Sequence, residues 1–187
     1  MGQYRRFYLV VLISVVCLFA KGAQGEEETR KAPEIAGSVW FNAGAYKKLN
    51  MKALQDKVVL IFFWISNDSN CINFVPILNS WYLEYKEKGL EIIGFHSSGF
   101  MQGVSESELF QRIEALGIKF PVALGDDLSL RQNYGQGGWP SFVLIDRKGF
   151  IRAEYSCVVN YKELRIMLEA LLEEGESKSS GQGENEL

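Results

Sequence analysis

The chain has one histidine and three cysteines among its 187 residues, and both shortages narrow its chemistry. A single histidine excludes a metal site built from several imidazoles, and three thiols are too few for a disulfide-rich framework or paired zinc ribbons. Basic residues do not outnumber acidic ones either: Lys+Arg number 20 and Asp+Glu 23, so the net charge is -3. We therefore expect no nucleic-acid binding, which needs cations to neutralise phosphates, and no metal or other cofactor.

The composition of the sequence is that of an ordinary globular domain. Hydrophobic residues make up 47% of the chain and charged residues 23%, which suffices for one buried core. This balance excludes a disordered or fibrous protein.

The first 25 residues have the pattern of a secretory signal. Arg5 and Arg6 precede the apolar run 7–20, and Ala23-Gln24-Gly25 offers the small residues of a cleavage site. As a helix this run spans about 21 Å, short of the roughly 30 Å of a membrane's hydrocarbon core. We expect an exported protein, periplasmic or extracellular, with the signal removed; an uncleaved membrane anchor is the alternative.

Two polar segments flank the remaining chain. Residues 26–37, which begin EEETRKAPE, are interpreted as a linker. Residues 175–187, which end GQGENEL, lack apolar periodicity and are rich in Gly, Ser and acids, so they predict a disordered acidic tail. Residues 38–174 are then expected to form one domain.

Strand and helix patterns alternate in the first part of this domain. The apolar runs 57–64 and 90–95 are typical of strands buried on both faces of a parallel sheet. A helix over 71–88 follows the first run, and a capping box at Ser105 opens a helix that ends at Leu116 after the second. This order predicts a parallel βαβ unit.

The second part of the domain predicts a β-hairpin and a helix. Strands over 141–145 and 150–155 are separated by the turn signal Asp146-Arg147-Lys148-Gly149, and an amphipathic helix covers 161–174. A short strand is expected around 39–42. The fold class is therefore α/β with a central mixed sheet, built from a βαβ unit plus a β-hairpin with helices on both faces, which is the thioredoxin arrangement.

Several landmarks carry a family resemblance. A loop after Trp64 leads to Cys71 at the start of a helix, Pro76 follows five residues later, and Gly138-Trp139-Pro140 precedes a strand. With the segments WYLEYKEKGLEIIGFHSSGF, GIKFPVAL and GWPSFVLIDRKGFIR, they resemble the thioredoxin-like redoxins of the TlpA and ResA type, especially the thioredoxin-like domains of DipZ-type proteins. The resemblance covers residues 38–174 and implies thiol-disulfide oxidoreductase activity on protein or cytochrome thiols outside the cytoplasm.

The sequence departs from that family at the site itself. Members carry Trp-Cys-x-x-Cys at the strand-to-helix turn, because one thiolate attacks a disulfide and the second resolves the mixed disulfide. Aligned without gaps from Trp64 to Pro76, the two cysteine positions hold Asp68 and Cys71, so the attacking cysteine is absent. A shifted alignment that starts the motif at Cys71 needs an insertion and a matching deletion, and it also contains no CxxC.

Asp68 and Cys71 are expected to have structural roles. The run Asp-Ser-Asn before a helix consists of N-cap formers, so Asp68 should accept a backbone N–H in place of the thiolate. As an anion near Cys71 it disfavours the thiolate, and we expect Cys71 to be a buried, sluggish, resolving-type thiol. Phe62 stands where many thioredoxins hold a buried acid, so no substitute proton acceptor is expected beneath the site.

Cys157 is a candidate second thiol. Counting back from the hairpin turn places Pro140 opposite about Tyr155, and Cys157 just beyond it at the site end of the sheet. A disulfide between Cys71 and Cys157 is an alternative. An intervening strand would separate them by about 10 Å, whereas a disulfide needs Cα atoms within about 7 Å.

The resemblance also implies a peptide-binding groove. The bond before Pro140 would be cis, and the backbone of Trp139 would pair with an extended peptide. Trp139 would shield the groove or stack on a partner, Trp64 would pack under the active loop, and His96 matches the family's Val-His position. The alternatives are that Pro140 only begins a strand and that His96 is a core residue satisfied by backbone groups.

Two classes of function remain. One is a thiol-disulfide oxidoreductase that acts through Cys71 alone or with Cys157; the other is a non-catalytic binding or scaffold module that keeps the groove at Pro140. Family membership favours the first and the residue chemistry the second. Either would take a protein or peptide thiol partner, and would meet a membrane only if the signal stays attached. Peroxiredoxin chemistry is not expected, because the Pro-x-x-x-Thr-x-x-Cys motif is absent.

Overall fold

The fold is known from a computed structural model that describes residues 30–35, 37–44, 49–97, 104–125, 128–135, 137–157 and 159–179. The predicted signal and the last eight residues of the predicted tail lie outside them. The strands are β1 Val39–Phe41, β2 Val58–Trp64, β3 Leu90–His96, β4 Val122–Leu124, β5 Ser141–Ile145 and β6 Ile151–Ser156. The helices are α1 Ser69–Tyr85, α2 Glu106–Leu116, α3 Leu128–Asn133 and α4 Tyr161–Ser179.

The strands form one mixed sheet in the order β1-β4-β3-β2-β5-β6. Strands β2, β3 and β4 are parallel, whereas β5 runs antiparallel to β2 and β6 antiparallel to β5. The βαβ unit and the β-hairpin predicted from the sequence are therefore confirmed, and together they make the thioredoxin arrangement.

Helices cover both faces of the sheet, but unequally. The connections from β2 to β3 and from β3 to β4 advance in the same direction, and right-handed crossovers place both helices, α1 and α2, on one face. Buried residues of α4 join the same hydrophobic cluster. The other face is covered by α3, through Leu130, and by the turns around Leu49 and Leu54.

Strand β4 and helix α3 were not predicted. Val122–Leu124 is a strand of 3 residues and Leu128–Asn133 a helix of 6, so neither is long enough to show a periodic pattern. β4 forms because it pairs with β3 on one side and β1 on the other.

The structure corrects both ends of the predicted domain. In the segment interpreted as a linker, Lys31 bridges Phe150 and the Ala32 N–H donates to Gly149 O at 2.8 Å. Ile35 is buried with 1% of its surface exposed, so this part of the segment packs onto the domain. At the other end, α4 continues to Ser179, five residues into the predicted tail.

One arginine joins three chain segments at the pole of the sheet where β2 and β3 begin. Arg147, in the β5–β6 turn, donates hydrogen bonds to Asp56 O at 2.7 Å, Lys88 O at 3.0 Å and Leu172 O at 3.3 Å. The planar guanidinium with five donors suits this task. This pole lies opposite the edge where β2 and β3 end.

None of the helices in the described part of the chain combines the length and apolarity that a membrane crossing needs.

Candidate functional site

The candidate site lies where β2 and β3 end and β5 begins. The parallel register pairs Trp64 with His96, and the antiparallel register pairs Phe63 with Ser141. Pro140, which precedes Ser141, therefore lies at the level of Trp64. The fold brings together the tryptophan, histidine and proline that the sequence singled out.

Asp68 caps the helix that starts at this edge. Its carboxylate accepts hydrogen bonds from the N–H of Asn70 at 2.7 Å and of Cys71 at 3.3 Å, and its own backbone is extended (φ -107°, ψ 120°). The capping role predicted from the Asp-Ser-Asn run is confirmed. These contacts satisfy donors that the first turn of a helix leaves unpaired, and the negative charge suits the positive end of the helix.

Cys71 lies in the first turn of α1 and is completely buried (0% exposed). The pKa of its thiol is raised to about 11: burial is the largest cause, a hydrogen bond with the Ile65 backbone lowers the pKa, and the charge of Asp68 raises it. Because the thiolate is the nucleophile, a thiol that keeps its proton far above neutral pH reacts slowly. The geometry agrees with the expected buried, sluggish thiol.

Trp64 and His96 support the loop between β2 and α1. Both are buried, and their rings meet edge to face with centroids 4.9 Å apart. The backbone N–H of Ser66 donates to His96 Nε2 at 3.1 Å, so this nitrogen carries a lone pair and no proton. His96 thus fixes the loop through a backbone contact, which agrees with the interpretation as a core histidine. Phe62, at the position of the family's buried acid, is also fully buried.

The peptide bond between Trp139 and Pro140 is cis, as the family resemblance implies. Ser141 Oγ donates to Gly138 O, and the Cys157 N–H donates to Pro140 O at 2.9 Å. Pro140 is buried, while Trp139 is half-buried and packs against the hydrophobic clusters of both sheet faces. The segment is held from two strands at once.

Cys157 lies beside Pro140. The predicted register placed Tyr155 opposite Pro140, but Ser156 pairs with Ser141, which brings Cys157 level with Pro140. One residue of this difference arises at the turn, where Ile145 pairs with Ile151, and the other arises from the register shift between Leu144 and Ile145. Its side chain is exposed and its φ is 64°, in the left-handed region.

Both described cysteines are free thiols: Cys71 is buried and Cys157 is exposed. The alternative of a disulfide between them is therefore wrong. Instead, the Cys157 sulfur lies against Gly138, so close that a Cβ at that glycine would overlap it.

Arg131 is a site residue that the sequence did not reveal. It lies on α3, and its guanidinium carbon is 4.0 Å from the centroid of the Trp139 ring. The short helix carries no motif, so no sequence signal connects the two residues.

The described residues hold no group of three or more His, Cys, Asp or Glu side chains able to bind a metal ion. At this edge of the sheet the described residues offer one exposed thiol, one buried thiol and the half-buried ring of Trp139.

Comparison with known proteins defines the family. The model of the AhpC/TSA family matches residues 29–154. The chain belongs to this family, and its fold is thioredoxin-like. It therefore falls within the thiol-disulfide oxidoreductase and redoxin group.

Individual relatives agree with this assignment. Protein DipZ of Mycobacterium tuberculosis is 34% identical over 70% of this chain and 19% of its own length. The thiol-disulfide oxidoreductase ResA of Bacillus anthracis is 33% identical over 55% of this chain and 57% of its own. A crystal structure of a thiol-disulfide isomerase from Corynebacterium glutamicum superposes with a TM-score of 0.65 at 28% identity, covering 75% of this chain and 96% of that one.

The chain matches only a part of these curated relatives, about a fifth of DipZ and just over half of ResA.

Proposed function

We propose that this protein is an exported member of the redoxin family that binds extended protein segments beside Trp139 and Pro140 and has weak or no dithiol redox activity. The observation that carries the proposal is the pair Asp68 and Cys71: a carboxylate caps the helix where the family places its attacking thiolate, and the remaining thiol is buried. Two thiols three residues apart are needed to form and then resolve a mixed disulfide.

Binding is the function that the rest of the site supports. Trp139 presents an aromatic surface that is half-buried, and the contacts of Ser141 and Cys157 hold the segment from both sides. Aromatic side chains held in this way are typical anchors for a partner. The expected partner is a protein or peptide whose extended backbone lies along residues 138–140.

A second candidate function uses Cys157 as a single thiol, and its exposure beside Pro140 favours it. The Cys157 thiolate would attack a partner's disulfide, form a mixed disulfide and release one partner thiolate. A second, external thiol would then break the mixed disulfide and leave Cys157 reduced. Cys71 takes no part in this scheme.

Export is proposed from residues 1–25, and the intact mass of the protein recovered from outside the cytoplasm tests it. A mass that includes these residues would contradict removal of the signal. A membrane contact would then remain through the uncleaved segment.

The central experiment is reduction of insulin disulfides by dithiothreitol, with the wild type, Cys71→Ser and Cys157→Ser. Rates equal to the uncatalysed reaction for all three support the binding function. Acceleration that Cys71→Ser abolishes overturns the proposal, and acceleration that only Cys157→Ser abolishes selects the single-thiol function.

Asp68→Cys is the complementary variant because it restores Cys-x-x-Cys. We expect it to accelerate insulin reduction, since the fold and the helix start are in place. A folded but inactive Asp68→Cys protein would mean that the missing thiol is not what limits the wild type.

A further inference from the structure

Arg131 borders the proposed binding surface, which consists of Trp139 and Pro140, in a fixed position. Its neighbour Leu130 and the nearby Tyr134 are buried in the core under the sheet, which anchors α3. The guanidinium lies on the Trp139 ring, with 4.0 Å between its carbon and the ring centroid. Stacking of this kind restricts the orientation of both side chains.

The hydrogen-bonding capacity of Arg131 is not used within the described residues. Its Nε and Nη1 are buried without an acceptor there, which leaves Nη2 as the nitrogen that faces outward. Burial lowers the pKa of Arg131, and no carboxylate in the described part of the chain offsets this cost. A guanidinium in such surroundings gains more from an anionic partner than one in water does.

Three other arginines of the protein form ion pairs with carboxylates. Arg30 pairs with Glu154 at 2.6 Å, Arg152 with Asp146 at 3.3 Å, and Arg165 with Glu84 and Glu169. Among the described residues Arg131 has no such partner, and because it lies on the Trp139 ring, an anion that bound it would lie beside Trp139.

We propose that Arg131 pairs with a carboxylate of the bound protein segment, so that the groove selects extended segments with an Asp or Glu beside the residue that packs on Trp139. This inference rests on the proposed binding function and specifies its partner class. The Trp139 ring already orients the guanidinium, so binding of a carboxylate costs little side-chain conformational entropy. The positive charge of the guanidinium, which can reach a partner through Nη2, also favours a carboxylate over a neutral amide.

The test begins with selection of random displayed nonapeptides by the full chain. The expected result is enrichment of Asp or Glu at one fixed position. One selected peptide and its Glu→Gln or Asp→Asn counterpart are then titrated by fluorescence anisotropy. We expect the acidic peptide to bind the wild type at least fivefold more tightly, because charge-assisted hydrogen bonds are about twice as strong as neutral ones.

Three variants assign the preference to Arg131. Arg131→Gln should bind both peptides equally, and Arg131→Lys should keep part of the preference because it keeps the charge but not the planar group stacked on the Trp139 ring. Arg112→Gln, which removes an exposed arginine of α2, is the matched control and should behave as the wild type.

Occupancy of the binding surface is followed separately as slower alkylation of Cys157 when peptide is bound.

The outcomes separate this inference from the proposed function. Selected peptides that protect Cys157 but show no acid preference, or a preference that survives Arg131→Gln, overturn the role of Arg131 and leave the binding function standing. Failure to select any peptide overturns both. Should Arg131→Gln unfold, the Arg131→Lys protein decides, since full retention of the preference there would contradict recognition by the stacked guanidinium.

Discussion

The Asp68 carboxylate accepts a hydrogen bond from the backbone N–H of Cys71 at 3.3 Å, and its charge disfavours the thiolate of the same residue. One side chain therefore holds the start of α1 and suppresses the thiol in it. Stability and thiol reactivity are opposed at this position, and variants of Asp68 separate them.

Asp68→Ala should lower the free energy of unfolding by about 1 kcal/mol, because it removes the acceptor for two N–H groups of the first helical turn. Asp68→Asn keeps a side-chain oxygen and should stay within about 0.5 kcal/mol of the wild type. Urea unfolding at pH 7 measures both. The exposed neighbour Ser69→Ala serves as control, and an equal loss in that variant would contradict a specific capping role.

Cys71 should be alkylated slowly at neutral pH and increasingly fast in alkali. With a pKa of about 11, its thiolate fraction is about one part in a thousand at pH 8 and rises about tenfold at pH 9. Peptide mass spectrometry after timed iodoacetamide treatment follows Cys71 and Cys157 separately. Cys157 should be modified first because it is exposed, and Asp68→Asn should speed the modification of Cys71. Equal rates for both cysteines at pH 7 would refute this.

The raised pKa of Cys71 should also make stability depend on pH. The native state keeps this proton to about pH 11, whereas the unfolded chain releases it near the ordinary value of 9.0. The contribution of the buried thiol is therefore complete below about pH 9 and is lost as the pH rises toward 11. The difference in unfolding free energy between the wild type and Cys71→Ala should fall over this interval. A difference that stays constant from pH 8 to 11 argues against the shift.

Gly138→Ala should destabilise the domain by about 0.5 to 1.5 kcal/mol, because the new Cβ would overlap the Cys157 sulfur and force that exposed side chain out of its rotamer. Cys157→Gly removes that sulfur and also relieves a left-handed backbone, so on its own it should be neutral or slightly stabilising. A double-mutant cycle measured by thermal unfolding should show that the glycine at 157 rescues most of the loss. Strictly additive effects would mean that the overlap is not the cause.

Arg147→Lys should cost about 2 to 4 kcal/mol, since an ammonium cannot reach the carbonyls of Asp56, Lys88 and Leu172 together. The matched control is Arg152→Lys, which alters an ion pair near the surface and should cost less than about 1 kcal/mol. Guanidinium unfolding compares the two variants. Losses of the same size would show that the carbonyl contacts contribute little.

The sequence predicts those parts of the fold whose signals are long and local. Strands β2 and β3 are continuous apolar runs, and the cap at Asp68 depends on residues next to it, so both are confirmed within a few residues. The capping box of Ser105 and Glu108 is equally local and is present.

The remainder depends on contacts between distant segments. β4 is a strand because β3 and β1 lie on either side of it, and the contact of Arg131 with Trp139 joins a short helix to a loop. The register of Cys157 differs from the predicted one by two residues, because the hairpin turn and the irregularity between Leu144 and Ile145 each shift the later pairs by one.

The carbonyls that Arg147 gathers lie at the far pole of the sheet from Asp68 and Cys71. The Arg147 contacts and the candidate site therefore lie at opposite poles of the sheet. A substitution at position 68 should disturb the first turn of α1 and leave the junction of the three distant segments intact.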